Sequence, residues 1–287
     1  MSISRNRGIA LLFVFVLTFV TPVASETASE AKILNSADVC DVALSVLIER
    51  LEAARDPDQR GRGRQENANW SCYAPMPGHP TAPEKSAYIE EISAYAKAAE
   101  TKFKVPAAAL AAMAILESGY GFTRVALPPT NNLFGWKLSQ SGLLKQGGYV
   151  LSCQDTTGER GQPDANRCYR NFASRAASFE YIAGRLASGF HSNYRKANDR
   201  YQRETRQGVP VVTRVQNWVA GIASPYNWRS SEYTASICRL MRNPTAASDQ
   251  LHPKFNLYQL SAQEGETTEL VRVPTRHVGC TDILPRQ

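Results

Sequence analysis

The 287-residue sequence predicts a mainly α-helical fold carrying one small β-hairpin lobe. Three observations lead there. Between residues 84 and 243 apolar side chains recur mostly at helical spacing. One interval, residues 147–172, breaks that period with two short β-prone runs, "GYVLSC" and "RCYRNF", around the turn-rich loop "QDTTGERGQPDAN". The whole stretch is about 160 residues, enough for one hydrophobic core, and it shows no internal repeat or low-complexity segment.

Taken in order, residues 1–25 read as an export signal. Arg5 and Arg7 precede an apolar run over residues 9–20, and the small residues Val23 and Ser25 suit cleavage before Glu26. The run is about a dozen residues, short of the ~20 that span a bilayer, so the mature chain is expected to be periplasmic or secreted, with no stable membrane insertion. Residues 26–83 form an N-terminal extension. It holds a helix over residues 36–54, with Val39, Val42, Ala43, Val46, Leu47 and Leu51 at helical spacing, then a charged and Pro-rich linker. Within the core domain, residues 84–243, a helix over 87–103 places Tyr88, Ile92, Tyr95 and Ala99 on one face. Pro106 suits a helix start, and residues 107–117 are strong helix formers. Further helices are expected over 176–186, 211–222 and 231–241. Residues 244–287 form a C-terminal extension of mixed polarity.

Charge and cysteine usage narrow the partners. The formal net charge of +7 falls to +5 once a signal with two arginines and no acids is removed. A basic exported chain is drawn to anionic polymers, of which the cell wall is the nearest. No basic run is interleaved with aromatics, and "RGRGR" at 60–64 reads as a solvated linker, so no nucleic-acid partner is expected. The six cysteines form no CxxC pair and the four histidines are scattered; neither a metal nor an organic cofactor is expected. An even cysteine count in an oxidising compartment implies disulfides. Cys153 and Cys168, on facing strands of the hairpin, are expected to pair. Cys40, Cys72, Cys238 and Cys280 would then pair among themselves and pin the flanks to the core.

The stretch "AILESGYGFTRVALPPTNNLFGWK", residues 114–137, carries the chemistry. On the helix over 107–117, positions 110, 113, 114 and 117 share one face. Glu117 therefore points with Leu110, Met113 and Ala114 towards the core, at the negative end of the helix macrodipole. Apolar surroundings and dipole both disfavour ionisation and raise the carboxyl pKa. A carboxyl protonated near neutral pH suits glycoside cleavage, where it gives its proton to the leaving oxygen. The plain alternative is a surface glutamate at a frayed helix end, with Gly119 or Gly121 as the C-cap.

Four motifs in order decide between these readings: "AILESGYG" (114–121), "NNLFGWK" (131–137), "CYRNFASRAASFEYIAGRL" (168–186) and "EYTASICRLM" (232–241). Together they resemble the glucosaminidase family of peptidoglycan hydrolases, glycoside hydrolase family 73, which includes the flagellar rod-cap muramidase domain and Bax-type exported proteins. "NNLFGWK" differs from the "GAMGLMQ"-like loop of the soluble lytic transglycosylases. The resemblance implies a lysozyme-like, mostly helical fold with a flexible β-lobe. It also implies hydrolysis of β-1,4 bonds in peptidoglycan glycan strands after N-acetylglucosamine, with Glu117 as general acid. Asn132, Phe134, Gly135 and Trp136 would form the floor of the sugar groove, where an amide pairs with acetamido groups and aromatic rings cover pyranose faces. The alternative for Phe134 and Trp136 is that they plug the core.

Two positions depart from the family. Its second glutamate falls at Gln154, which cannot act as a base; Asp155 is adjacent and Glu159 lies in the same loop. Its tyrosine, in a "GYATDP"-like turn, falls at Ile222, and Tyr226 is the nearest substitute. Three routes to a second group stay open: Asp155 as base, Glu159 as base, or attack by the substrate's own N-acetyl oxygen with Tyr226 orienting it. Two rival functions stay open as well: a lytic transglycosylase or muramidase acting on the alternate bond, and a non-catalytic peptidoglycan-binding protein.

Overall fold

The computed structural model describes residues 73–138, 148–150, 168–248, 250–272 and 283–285. The expected signal, the expected helix over 36–54 and most of the expected linker lie outside them. Helix α1 spans Ala82–Phe103, opening five residues before the apolar period would place it. The cause is the sequence "TAPE". The Thr81 hydroxyl accepts from the Glu84 N–H, the Glu84 carboxylate accepts from the Thr81 N–H at 2.7 Å, and Pro83 lies in the first turn. This is a capping box, which satisfies two otherwise orphaned donors.

Helix α2, Ala107–Ser118, is buried on every side: no residue from Ala107 to Ile115 is more than 2% exposed. Its six alanines let neighbours come close. Those neighbours are α1, α5 (Val211–Tyr226), α6 (Ser230–Arg242) and a short 3-10 helix, Leu257–Leu260. A buried helix start needs partners for its free N–H groups. Pro106, at the cap position, has no side-chain donor or acceptor to offer. Glu100 of α1 instead accepts from the Ala107 N–H at 2.9 Å, and the Ser261 hydroxyl accepts from the Ala108 N–H at 3.0 Å. Glu100 is held in turn by the hydroxyls of Tyr201 and Ser261.

Helices α3 (Arg175–Ala187) and α6 match the expected spans to within one residue at each end. Helix α5 runs four residues further, through Pro225 to Tyr226. A proline in the last turn forfeits only its own bond, and the Asn227 N–H still reaches the Ala223 carbonyl at 2.9 Å. Helix α4, Ser192–Arg206, corrects the sequence reading, which placed no element there. Its buried face is Tyr194, Ala197, Asn198, Tyr201 and Glu204: helical spacing, but no aliphatic side chain larger than alanine. The buried polar members are paired across to α5. Trp218 Nε1 donates to Asn198 Oδ1 at 2.7 Å, and Asn217 Nδ2 donates to Glu204 Oε1 at 3.0 Å.

Strand β1, Gly148–Val150, pairs antiparallel with β2, Cys168–Arg170, so Val150 faces Cys168. This pair is the root of the expected hairpin; residues 151–167 lie outside the described set. Neither described cysteine, Cys168 nor Cys238, is a free thiol. The expected pairings involve Cys40, Cys72, Cys153 and Cys280, which lie outside the described residues. The loop after Asn132 docks on β2: the Leu138 N–H donates to the Cys168 carbonyl, and the Arg170 N–H to that of Trp136.

Residues beyond 243 contribute to the core. Leu257, Tyr258 and Leu260 are buried. Arg214 of α5, fully buried, binds both carboxylate oxygens of Glu266 and the carbonyls of Val209 and Ser261. Further on, β3 (Leu270–Arg272) pairs antiparallel with β4 (Ile283–Pro285). Among the described residues, no helix is long and apolar enough to cross a membrane. Removing one partner of a buried pair leaves the other charged and uncompensated, at a cost of about 3–5 kcal/mol. Glu266→Ala should lower the urea midpoint by a corresponding amount; a midpoint equal to wild type would show that Arg214 does not depend on Glu266.

Candidate active site

Glu117 stands in the last turn of α2, where the chain must reverse. Gly119 caps the helix in the left-handed conformation (φ 54°), its N–H bonded to the Ile115 carbonyl. A Cβ there would lie 2.5 Å from Pro75 Cγ, so the turn needs glycine. The Ser118 hydroxyl fixes the next turn, accepting from the Gly121 N–H at 2.8 Å and meeting the Tyr88 hydroxyl at 2.8 Å. The plain reading of Gly119 as a C-cap is thus correct, and it coexists with a second fact. Glu117 is not at a frayed end: it lines a cleft of about 870 Å³.

Of the residues expected in a sugar groove, Phe134, Gly135 and Trp136 line this same cleft, and so does Tyr226, the substitute for the family's tyrosine. Gly135, at φ 58°, lets the loop pass close to the carboxyl; a Cβ there would sit 3.8 Å from Glu117 Oε2. Trp136 is half-buried and meets Tyr181 and Phe190 edge-on, at 5.8 and 6.2 Å between ring centres. Phe134 serves both readings. Its ring is buried edge-on against Phe179 at 5.0 Å, yet it also borders the cleft. Asn132 is the correction. It is fully buried, its Oδ1 accepts from the Trp136 N–H at 2.9 Å, and its Nδ2 donates to the carbonyls of Trp136 and Arg170. With its amide spent on the backbone, Asn132 shapes the loop and pins it to β2; it offers nothing to an acetamido group. Asp155, Gln154 and Glu159 lie outside the described residues.

Burial pushes the Glu117 carboxyl up to about 7. The Tyr233 phenol beside it acts in the opposite direction and more weakly. Tyr233 is buried and its hydroxyl finds no hydrogen bond of good geometry among the described residues, Glu117 included. Tyr226 stacks on Tyr233, ring centres 5.4 Å apart, and its hydroxyl reaches the Phe134 carbonyl at a long 3.5 Å. Burial first, then the charge of Glu117, pushes both phenols well above their ordinary range. Among the described residues lining the cleft, Glu117 is the single carboxylate. No group of three His, Cys, Asp or Glu among the described residues is placed to hold a metal ion.

Sequence reasoning missed the cleft rim. The large apolar side chains that stay exposed among the described residues are Tyr73, Leu116, Phe190 and Trp228, and all four line this cleft. The signal was present: "SGFHSNY" and "SPYNW" set aromatics in the short connections between helices, where a ring has no core to fill.

The raised carboxyl pKa has a stability consequence. A native pKa of about 7 against 4.5 unfolded means the folded chain holds a proton that the unfolded chain releases. The penalty is absent below pH 4.5, grows as pH rises from there, and is complete above about 7. Glu117→Gln should therefore be more stable than wild type at pH 8, by up to about 3 kcal/mol, and equal to it near pH 4. Thermal melts at the two pH values check this; a gain of the same size at both would show that ionisation is not its source.

Comparison with known proteins completes the picture. The family model described as glucosaminidase, mannosyl-glycoprotein endo-beta-N-acetylglucosaminidase, matches residues 93–245, more than half of the chain. Among solved structures, the catalytic domain of the autolysin Auto from Listeria monocytogenes is similar at 20% identity, with a TM-score of 0.41, covering 62% of this chain and 89% of that one. An N-acetylmuramoyl-L-alanine amidase from Staphylococcus aureus is similar at 17% identity, with a TM-score of 0.41, covering 63% and 48%. A C-terminally truncated glycoside hydrolase domain of FlgJ from Salmonella typhimurium is similar at 18% identity, with a TM-score of 0.35, covering 54% and 97%. No curated protein matches the chain. With α2, Glu117 and the Asn132–Trp136 loop inside the matched segment, the chain belongs to the glucosaminidase family of glycoside hydrolases.

Proposed function

We propose that this protein is a peptidoglycan hydrolase of the endo-β-N-acetylglucosaminidase type, periplasmic or secreted, in which Glu117 is the general acid. The observation that carries the reading is a carboxyl pushed up to about 7 in a cleft rimmed by exposed aromatic rings. A protonated carboxyl can give its proton to the glycosidic oxygen as the C–O bond breaks, and rings such as Trp136 and Trp228 offer apolar faces to successive pyranoses. A pure glycan binder has no use for a half-buried acid, which favours the enzyme. The division into a signal, an N-terminal extension, a catalytic domain over 84–243 and a C-terminal extension belongs to this reading.

For the second group, the position of Tyr226 favours the substrate-assisted route. Its phenol lines the cleft, stacked on Tyr233, and its hydrogen bond to the Phe134 carbonyl is long enough to be exchanged. In this route the acetamido oxygen attacks the anomeric carbon while Glu117 protonates the leaving oxygen. Water then opens the cyclic intermediate, and Glu117 recovers its proton. Digestion of purified sacculi, with mass spectrometry of the released ends, tests the bond: N-acetylglucosamine at the reducing end supports the proposal. N-acetylmuramic or anhydromuramic ends would replace it with the muramidase or transglycosylase reading.

Glu117→Gln should lose about 10²–10⁴-fold in turnover on defined muropeptides while still binding them. Because the acid works only when protonated, wild-type turnover should fall as pH rises through about 7. Activity near wild type in that variant removes the centre of the proposal. Asp155→Asn and Glu159→Gln should each cost less than about tenfold, and Tyr226→Phe more than either. A collapse in one carboxylate variant, with Tyr226→Phe nearly silent, would identify that carboxylate as the base instead.

A further inference from the structure

Beyond Trp136 the aromatic lining continues past the catalytic cleft. Trp136 meets Tyr181, and Tyr181 forms part of a second groove, of about 640 Å³, whose lining includes Phe103, Phe172, Gly184 and Arg185. Arg185 sits where the two meet. Its guanidinium lies over the ring of Phe190, 3.7 Å from the centroid, and 5.8 Å from that of Trp136. Phe190 is 59% exposed and borders the cleft, so this stack is at the surface a glycan would cross.

Arg185 also lacks what arginines usually have. Among the described residues no carboxylate pairs with it, and its buried Nε makes no hydrogen bond. The acidic residue of the second groove, Glu180, is taken by Lys102. Position in the last turn of α3, at the negative end of that helix, stabilises the cation without consuming its donors. A guanidinium stacked on a ring has its plane fixed while the outward edge stays free, the arrangement that receives a carboxylate in two parallel hydrogen bonds. A neutral N-acetylglucosamine polymer has no such group. Cell-wall glycan does, either on the lactyl ether of its acidic sugar or along its peptide branch.

We propose that Arg185, stacked on Phe190 beside Trp136, forms a subsite for a carboxylate carried by the glycan, and so sets a preference for acid-bearing strands over neutral ones. This rests on the cleft being a glycan site as proposed above. The test uses binding, so that it reads independently of turnover. Dissociation constants of E117Q and E117Q/R185Q full-length chains are measured for three ligands by calorimetry. They are a neutral β-1,4-N-acetylglucosamine tetramer, a peptide-free glycan fragment with a free lactyl carboxylate, and a fragment whose lactyl group carries its peptide. The ratio of neutral to acid-bearing affinity should shift by about tenfold or more on R185Q, because a hydrogen-bonded charge is lost. R185K, which keeps the charge without the planar fork, should recover part of it. A shift for the peptide-free fragment assigns the subsite to the lactyl group; a shift confined to the peptide-bearing one assigns it to the branch. Equal weakening of all three ligands, no shift, or no binding of any ligand overturns the proposal. Failure of wild type to cleave sacculi would instead count against the proposed function alone.

Discussion

A helix with no exposed side along most of its length has to have both its ends accounted for, and much of this molecule answers that requirement at α2. Six small alanines allow close approach from four neighbouring elements, at the cost of leaving the first N–H groups out of reach of water. Glu100 and Ser261 supply the missing acceptors, one from the preceding helix and one from far along the chain. At the other end Gly119 and Ser118 close the turn. Glu117 is thereby carried on a rigid rod fixed at both ends, the positional support that the proposed general acid requires.

The rest of the site is brought to that rod. Asn132 ties its loop to the β-sheet, which sets Gly135 and Trp136 beside the carboxyl. Helices α5 and α6 contribute the stacked pair Tyr226 and Tyr233. These groups withhold water from Glu117 without offering it a cation, and so its proton is retained near neutrality. Packing and acidity are here the same fact: repacking the tyrosines would shift the acidity of the Glu117 carboxyl.

Much of the helical core was legible in the sequence because aliphatic periodicity marks helices that pack on apolar neighbours. Helix α4 was not, since its inward face is built from Tyr194, Ala197, Asn198, Tyr201 and Glu204, and a buried asparagine or glutamate is distinguishable from a solvated one only when its partner on α5 is known. The early start of α1 was written in "TAPE" and needed only the capping rule. Glu117 and Trp136 could be placed in the cleft because helical spacing and a motif pointed to them, whereas Tyr226 was reached only as the nearest tyrosine to Ile222, where the motif departs. Asn132 was misassigned for a physical reason: an amide that binds a sugar and an amide that binds its own backbone look alike in one dimension. The rim aromatics are dispersed over more than 150 positions, from Tyr73 to Trp228, and only the fold gathers them.

The Ser261 hydroxyl on the Ala108 N–H has a consequence for how this chain can be inherited. The family match ends at residue 245, sixteen positions before Ser261 and twenty-one before Glu266. The recognisable domain thus does not contain all of the groups that complete its own central helix and its buried arginine. Shuffled by recombination at the edge of the match, it would arrive in a new gene with the Ala108 N–H unpaired and Arg214 without its carboxylate. In this chain the matched segment is not self-contained: residues beyond it supply partners to the helix that carries Glu117 and to buried Arg214.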